Sequence, residues 1–123
     1  MIVHIDHIAL PGGPSELPKY SRVKFDAGLG HLRLATELER SDGTLARQFV
    51  PSLNSDGLVI PWHNGGTRMM RADGAIVGFG YYKNADNGKI TAADESNAKG
   101  RLMADASVKD GDEIECSPYS NAD

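Results

Sequence analysis

The sequence predicts an all-β fold, and three observations carry the prediction: Asx-Gly pairs recur along the chain, the segments between them alternate with period two, and glycine supplies 14 of 123 residues. The pairs are Asp42-Gly43, Asp56-Gly57, Asn64-Gly65, Asp73-Gly74, Asn87-Gly88 and Asp110-Gly111. Gly has no Cβ and Asx tolerates the left-handed region, so each pair is a candidate strand reversal.

The elements follow in chain order. Ile2 to Leu10 reads as an N-terminal strand, and Pro11-Gly12-Gly13-Pro14 with Pro18 marks an irregular crossover after it. Arg22 to Ala27 puts Val23, Phe25 and Ala27 on one face and Arg22, Lys24 and Asp26 on a wet face. His31 to Arg40 is rich in helix formers, yet a helix would set Leu32 and Leu34 nearly opposite, whereas a strand aligns Leu32, Leu34, Thr36 and Leu38. The strand reading is preferred, with Ser41-Asp42-Gly43-Thr44 as the loop that follows. Leu58 to Trp62 is a further strand. Thr67 to Ala72 and Ala75 to Tyr82 flank the Asp73-Gly74 turn, the second with Ala75, Val77, Phe79 and Tyr81 on one face. Helix, if any forms, is confined to Thr91 to Lys99. Leu102 to Val108 returns through Asp110-Gly111-Asp112 into Glu113 to Cys116 as a C-terminal hairpin.

About eight short antiparallel strands at these turn spacings imply a β-sandwich, a jelly roll or a small barrel. No internal repeat, low-complexity tract or linker divides the chain, so residues 1–123 are expected to form a single β-domain.

Charge and cysteine usage narrow the function classes. The net charge is −4 and Lys and Arg are not clustered, which argues against nucleic acid and against anionic membranes as partners. Cys116 is the only cysteine, so no internal disulfide forms. The N-terminus lacks the basic and apolar regions of a signal peptide, and folding in the cytoplasm is expected.

Candidate chemistry is sparse. His4, Asp6 and His7 are the densest group of possible metal ligands, but a strand splits His7 from the other two, and no metal or other cofactor is expected. Lys83 to Asp94 resembles an EF-hand calcium loop at Gly88, Ile90 and Asp94, while Lys83 and Ala85 stand where oxygen ligands should be, so a polar hairpin loop is the preferred reading. Cys116 beside Glu115 reads as a core residue rather than a nucleophile. Asp112 and Glu113 face opposite ways and read as turn solvation, so no catalytic residue is assigned. The recognition candidates are aromatic: Trp62 with His63 in the Gly-rich stretch Pro61 to Gly66, then Tyr81, Tyr82 and Tyr119.

A compact β-domain without recognisable chemistry points to a non-enzymatic, structural or interaction role. In general character the chain is similar to small bacteriophage virion components, such as capsid decoration proteins or tail and baseplate elements. That resemblance implies protein partners, homo-oligomerisation or docking on a capsid or tail lattice, and a place in the virion. The N-terminal strand, Trp62 and Tyr119 are the expected contacts, with Ser117 to Asp123 as a tail beyond the last core strand. A glycan- or receptor-binding module using the same aromatics ranks second, and a small β-barrel enzyme third.

Overall fold

The computed structural model describes residues 7–62, 66–103 and 107–123. Ten strands are present among them: β1 (Ile8–Pro11), β2 (Arg22–Asp26), β3 (His31–Leu34), β4 (Gly43–Leu45), β5 (Asp56–Pro61), β6 (Arg68–Arg71), β7 (Tyr81–Asn84), β8 (Ile90–Ala93), β9 (Gly100–Leu102) and β10 (Glu113–Pro118). They build two five-stranded antiparallel sheets, ordered β1-β5-β4-β2-β3 and β6-β10-β9-β7-β8. The all-β expectation holds, in the form of two sheets rather than one closed barrel.

The two orders are the same order. Adding five to each strand number of the first sheet gives the second, so the chain contains two copies of one five-stranded arrangement. Register agrees as well: Gly43 lies between Val23 and Pro61, and Gly100 lies between Tyr82 and Pro118. Even the isolated bridges correspond, Leu17 with Phe49 in one copy and Ile76 with Val108 in the other. The sequence reading found no repeat because few positions match. Gly43 and Gly100, Leu45 and Leu102, and Pro61 and Pro118 do so at one constant spacing. The glycines are kept by close approach. A Cβ on Gly43 would stand 2.1 Å from the Ile60 carbonyl oxygen, and one on Gly100 would stand 2.6 Å from the Ser117 carbonyl oxygen, the residue before proline in each case.

Each copy has its own apolar centre. Leu17, Val23, Leu32, Leu45, Phe49 and Val59 form the first, and Met70, Ala72, Ile76, Tyr82, Ile90, Leu102, Ile114 and Cys116 the second. Between the copies Trp62 packs against the second centre, and two buried arginines make hydrogen bonds in both directions. Arg22 donates from its guanidinium across to the carbonyl oxygens of Ala85 (2.6 Å) and Lys89 (3.2 Å), and within its own copy to that of Thr36 (3.3 Å). In the other direction Arg68 donates to Ile60 and Pro61 carbonyl oxygens, both at 2.8 Å, and to the Thr44 hydroxyl at 3.1 Å. The β7–β8 turn joins the same seam, because Arg22 N donates to Gly88 O at 2.8 Å and Gly88 N to Ala35 O at 2.9 Å. Strict alternation had placed Arg22 on a wet face. It is 0% exposed instead, and burial pulls its guanidinium down to about 10.

Other expectations shift in phase or extent. His31 to Arg40 is a strand only as far as Leu34. The chain then turns, with the Glu39 carboxylate accepting from Arg33 Nη2 at 2.8 Å and from Thr36 N at 2.8 Å, which leaves Leu38 93% exposed. Between Ala75 and Tyr82 only β7 is regular, and the inward residue is Ile76, so Val77 and Phe79 point outward. Within Thr91 to Lys99, the stretch left open to helix, the chain finishes β8 and makes one 3-10 turn, Glu95–Asn97. The C-terminal hairpin is present as β9 against β10, but β9 ends at Leu102 and the rest of the expected strand includes 104–106, outside the described residues. The N-terminal strand is described only from Ile8, as the edge partner of β5.

Of the Asx-Gly pairs, Asn87-Gly88 is a tight hairpin turn between paired strands, with φ 60° and 70° and Lys89 N returning to Asp86 O. Asp56-Gly57 lies inside β5, Gly43 opens β4, and Asn64-Gly65 is outside the described residues.

Cys116 is a core residue, and burial pushes its thiol up to about 12, with Glu115 adding to the shift. A thiol-directed reagent is therefore expected to label the folded protein at least about 100-fold more slowly than the denatured protein at pH 8, because the thiolate is the nucleophile. Equal rates in the two states would place the sulfur at the surface.

Candidate functional site

The two copies frame an open cleft of about 660 Å³. Its lining comes from both: Ser41, Asp42, Pro61 and Trp62 from the first, and Pro118, Tyr119, Ser120 and Asp123 from the second. Pro61-Trp62 and Pro118-Tyr119 are the same step of the repeat, a β-strand ending in proline followed by an aromatic. Proline ends the strand because it has no N–H to continue the ladder. The next side chain is thereby released from the sheet into the space between the copies.

Trp62 is held from two directions. Its indole N–H lies 3.1 Å from both the carbonyl oxygen and the hydroxyl oxygen of Ser41, and the Arg68 guanidinium sits 4.4 Å from the ring centroid. Tyr119 is exposed at its ring but fixed at its backbone, with Tyr119 N donating to Lys99 O at 2.9 Å. The Asp42 carboxylate is set by accepting from Phe25 N at 2.6 Å. The C-terminal segment is not a free tail. Ser117 and Pro118 pair with β9, Ala122 is buried, Lys99 Nζ donates to Asn121 O, and Ser41 N donates to Asp123 O.

The structure thus brings together two of the aromatics singled out from sequence, Trp62 and Tyr119, and separates the others. Tyr81 is half-buried beneath Arg101, whose guanidinium lies 5.8 Å from its ring centroid. Tyr82 does not reach the surface: it is fully buried in the second core, where burial pushes its phenol up. The phase of β7, not its composition, decides this, since Tyr82 takes the inward position equivalent to Val23. His63 lies outside the described residues. Sequence reasoning missed Ser41, Asp42, Ser120 and Asp123, and the matched proline–aromatic steps were the signal that could have found the cleft.

The remaining candidates have structural duties. Asp86 accepts from Glu37 N at 2.9 Å, and Asp94 stands beyond the other end of β8, a separation of roughly 13 Å for a four-residue strand, so the calcium-like loop does not converge. Asp112 accepts from Lys109 N across the turn at Asp110-Gly111. His4 and Asp6 lie outside the described residues; among those described, no three His, Cys, Asp or Glu side chains group as metal ligands. No described helix is long and apolar enough to cross a membrane.

These features define a class by architecture: a tandem of two five-stranded β-units with an aromatic, acid-flanked cleft between them. A solved structure with a similar fold is the N base of the head fiber gp8.5 of bacteriophage phi29, matched with a TM-score of 0.66 at 11% identity over 92% of each chain. That coverage spans both sheets, so the likeness is to the tandem and not to one unit of it. No protein-family model and no curated protein matches the sequence.

Proposed function

We propose that this chain is a structural component of a bacteriophage virion, a base or decoration element that docks on the particle and assembles through protein–protein contacts, including contacts with copies of itself. The observation that carries the reading is the likeness of the whole tandem to a head fiber base. Local features support it. Val77 and Phe79 are 81% and 76% exposed on the same short loop, and large apolar side chains presented together mark contact surfaces. The sheets also keep edge strands, β1 and β3 in one and β6 and β8 in the other, with only a bridge from Ala72 to Ile90 joining the latter pair, and strand edges are where another chain can pair. A non-enzymatic role fits the same reading.

Cosedimentation of the purified chain with phage heads, together with light scattering of the chain alone, tests it. A stable oligomer that pellets with heads, and loses either property on Val77→Ser/Phe79→Ser substitution with an unchanged sheet spectrum, is the expected result. A monomer at every accessible concentration that leaves heads uncoated would overturn the reading.

A further inference from the structure

The cleft between the copies has a chemistry of its own. Two aromatics enter it from equivalent steps of the repeat, Trp62 from one side and Tyr119 from the other, and the described side chains around them are two prolines, two serine hydroxyls and two carboxylates. A cavity of this size falls within the range that holds small ligands. Its lining contains no Lys or Arg, so a phosphate, a nucleic acid or an acidic sugar would meet only the carboxylates of Asp42 and Asp123. A cationic ligand meets a different obstacle. The Arg68 guanidinium already lies 4.4 Å from the Trp62 ring centroid and, being charged at neutral pH, repels a second cation brought to the indole. A wholly apolar ligand would strip water from Asp42, Asp123 and both serines without replacing their hydrogen bonds.

What satisfies all these constraints is an uncharged molecule with apolar C–H faces and many hydroxyl donors. We propose that the cleft binds a neutral oligosaccharide, with sugar rings against Trp62 and Tyr119 and hydroxyls donating to the Asp42 and Asp123 carboxylates. Trp62 and Asp42 are already fixed by Ser41, Arg68 and Phe25 N, so little ordering is needed when the ligand arrives. The inference is independent of docking on a particle, because it concerns the isolated chain.

Trp62 is the only tryptophan, so its fluorescence reports on the cleft directly. The intact chain is titrated with neutral hexose and N-acetylhexosamine trisaccharides, with a uronic-acid trisaccharide, trilysine and a proline-rich peptide as controls, and calorimetry follows each titration. A saturable response to at least one neutral trisaccharide is expected, with at least tenfold weaker binding in Tyr119→Ala and a smaller loss in Asp42→Asn. The asparagine variant keeps an acceptor for Phe25 N, so it tests the carboxylate should the first variant fold poorly. Binding of none of the neutral sugars, binding that both variants retain in full, or preferential binding of the anionic, cationic or proline-rich probe would each overturn the proposal. Failure here leaves cosedimentation with heads untouched, and the reverse also holds.

Discussion

Replacement of Gly88 by alanine is expected to cost about 3–5 kcal/mol, because strain, lost hydrogen bonds and a collision add at one atom. Gly88 has φ +70°, and a Cβ there would stand 2.6 Å from the Arg22 carbonyl oxygen, a backbone atom that a rotamer change cannot move. The turn would have to lift off β2. It would take with it the paired bonds from Arg22 N and to Ala35 O, and disturb the Ala85 and Lys89 carbonyls that the buried guanidinium requires. Gly74 is the control, since its φ is +73° but a Cβ would meet nothing within 4 Å. Gly74→Ala should therefore show backbone strain alone, about 1–2 kcal/mol. Denaturant unfolding of both variants decides the matter, and equal losses would mean that the turn does not bear on β2.

Arg22→Met is the second large effect, at about 2–4 kcal/mol, or a fall in Tm of roughly 10 °C. The substitution keeps much of the aliphatic volume and removes the donors, which leaves carbonyl oxygens of Ala85, Lys89 and Thr36 without a side-chain partner. Arg22→Lys should recover less than half of the loss, because one ammonium does not reproduce a planar fork spanning separate acceptors. Thermal melts of the three proteins check both statements. A methionine variant as stable as the parent would show that burial of this charge brings the seam no net gain.

Local chemistry was legible in the sequence, and long-range contacts were not. The β2 strand, the Asn87-Gly88 turn and the core role of Cys116 were readable because each depends on residues within a few positions. Arg22 was misplaced because alternation assigns faces by parity. The carbonyls that justify its burial lie mostly more than sixty positions away, at Ala85 and Lys89. Parity did separate Ile76 from Val77, but which of the two turns inward was not legible: the regular part of the strand begins only at Tyr81, and the bridge to Val108 is what turns Ile76 in. In the candidate site the aromatics were visible as types, but their selection was not, since Tyr82 and Tyr119 look alike until register buries one. The repeat escaped because shared geometry constrains few side chains, those where a carbonyl presses on a glycine or a strand must stop.

The tandem also sets how the protein is able to come apart. A unit of about 60 residues buries only about 60% of its unfolded surface and is marginal alone. Two such units with separate apolar centres, fastened by guanidinium–carbonyl bonds, form one cooperative body only while the fastening lasts. The amide protons of Gly88, which donates to Ala35 O, and of Arg22, which donates to Gly88 O, belong to that fastening, so their exchange with solvent registers parting of the units, whereas those of β4 and β9 register loss of each unit itself.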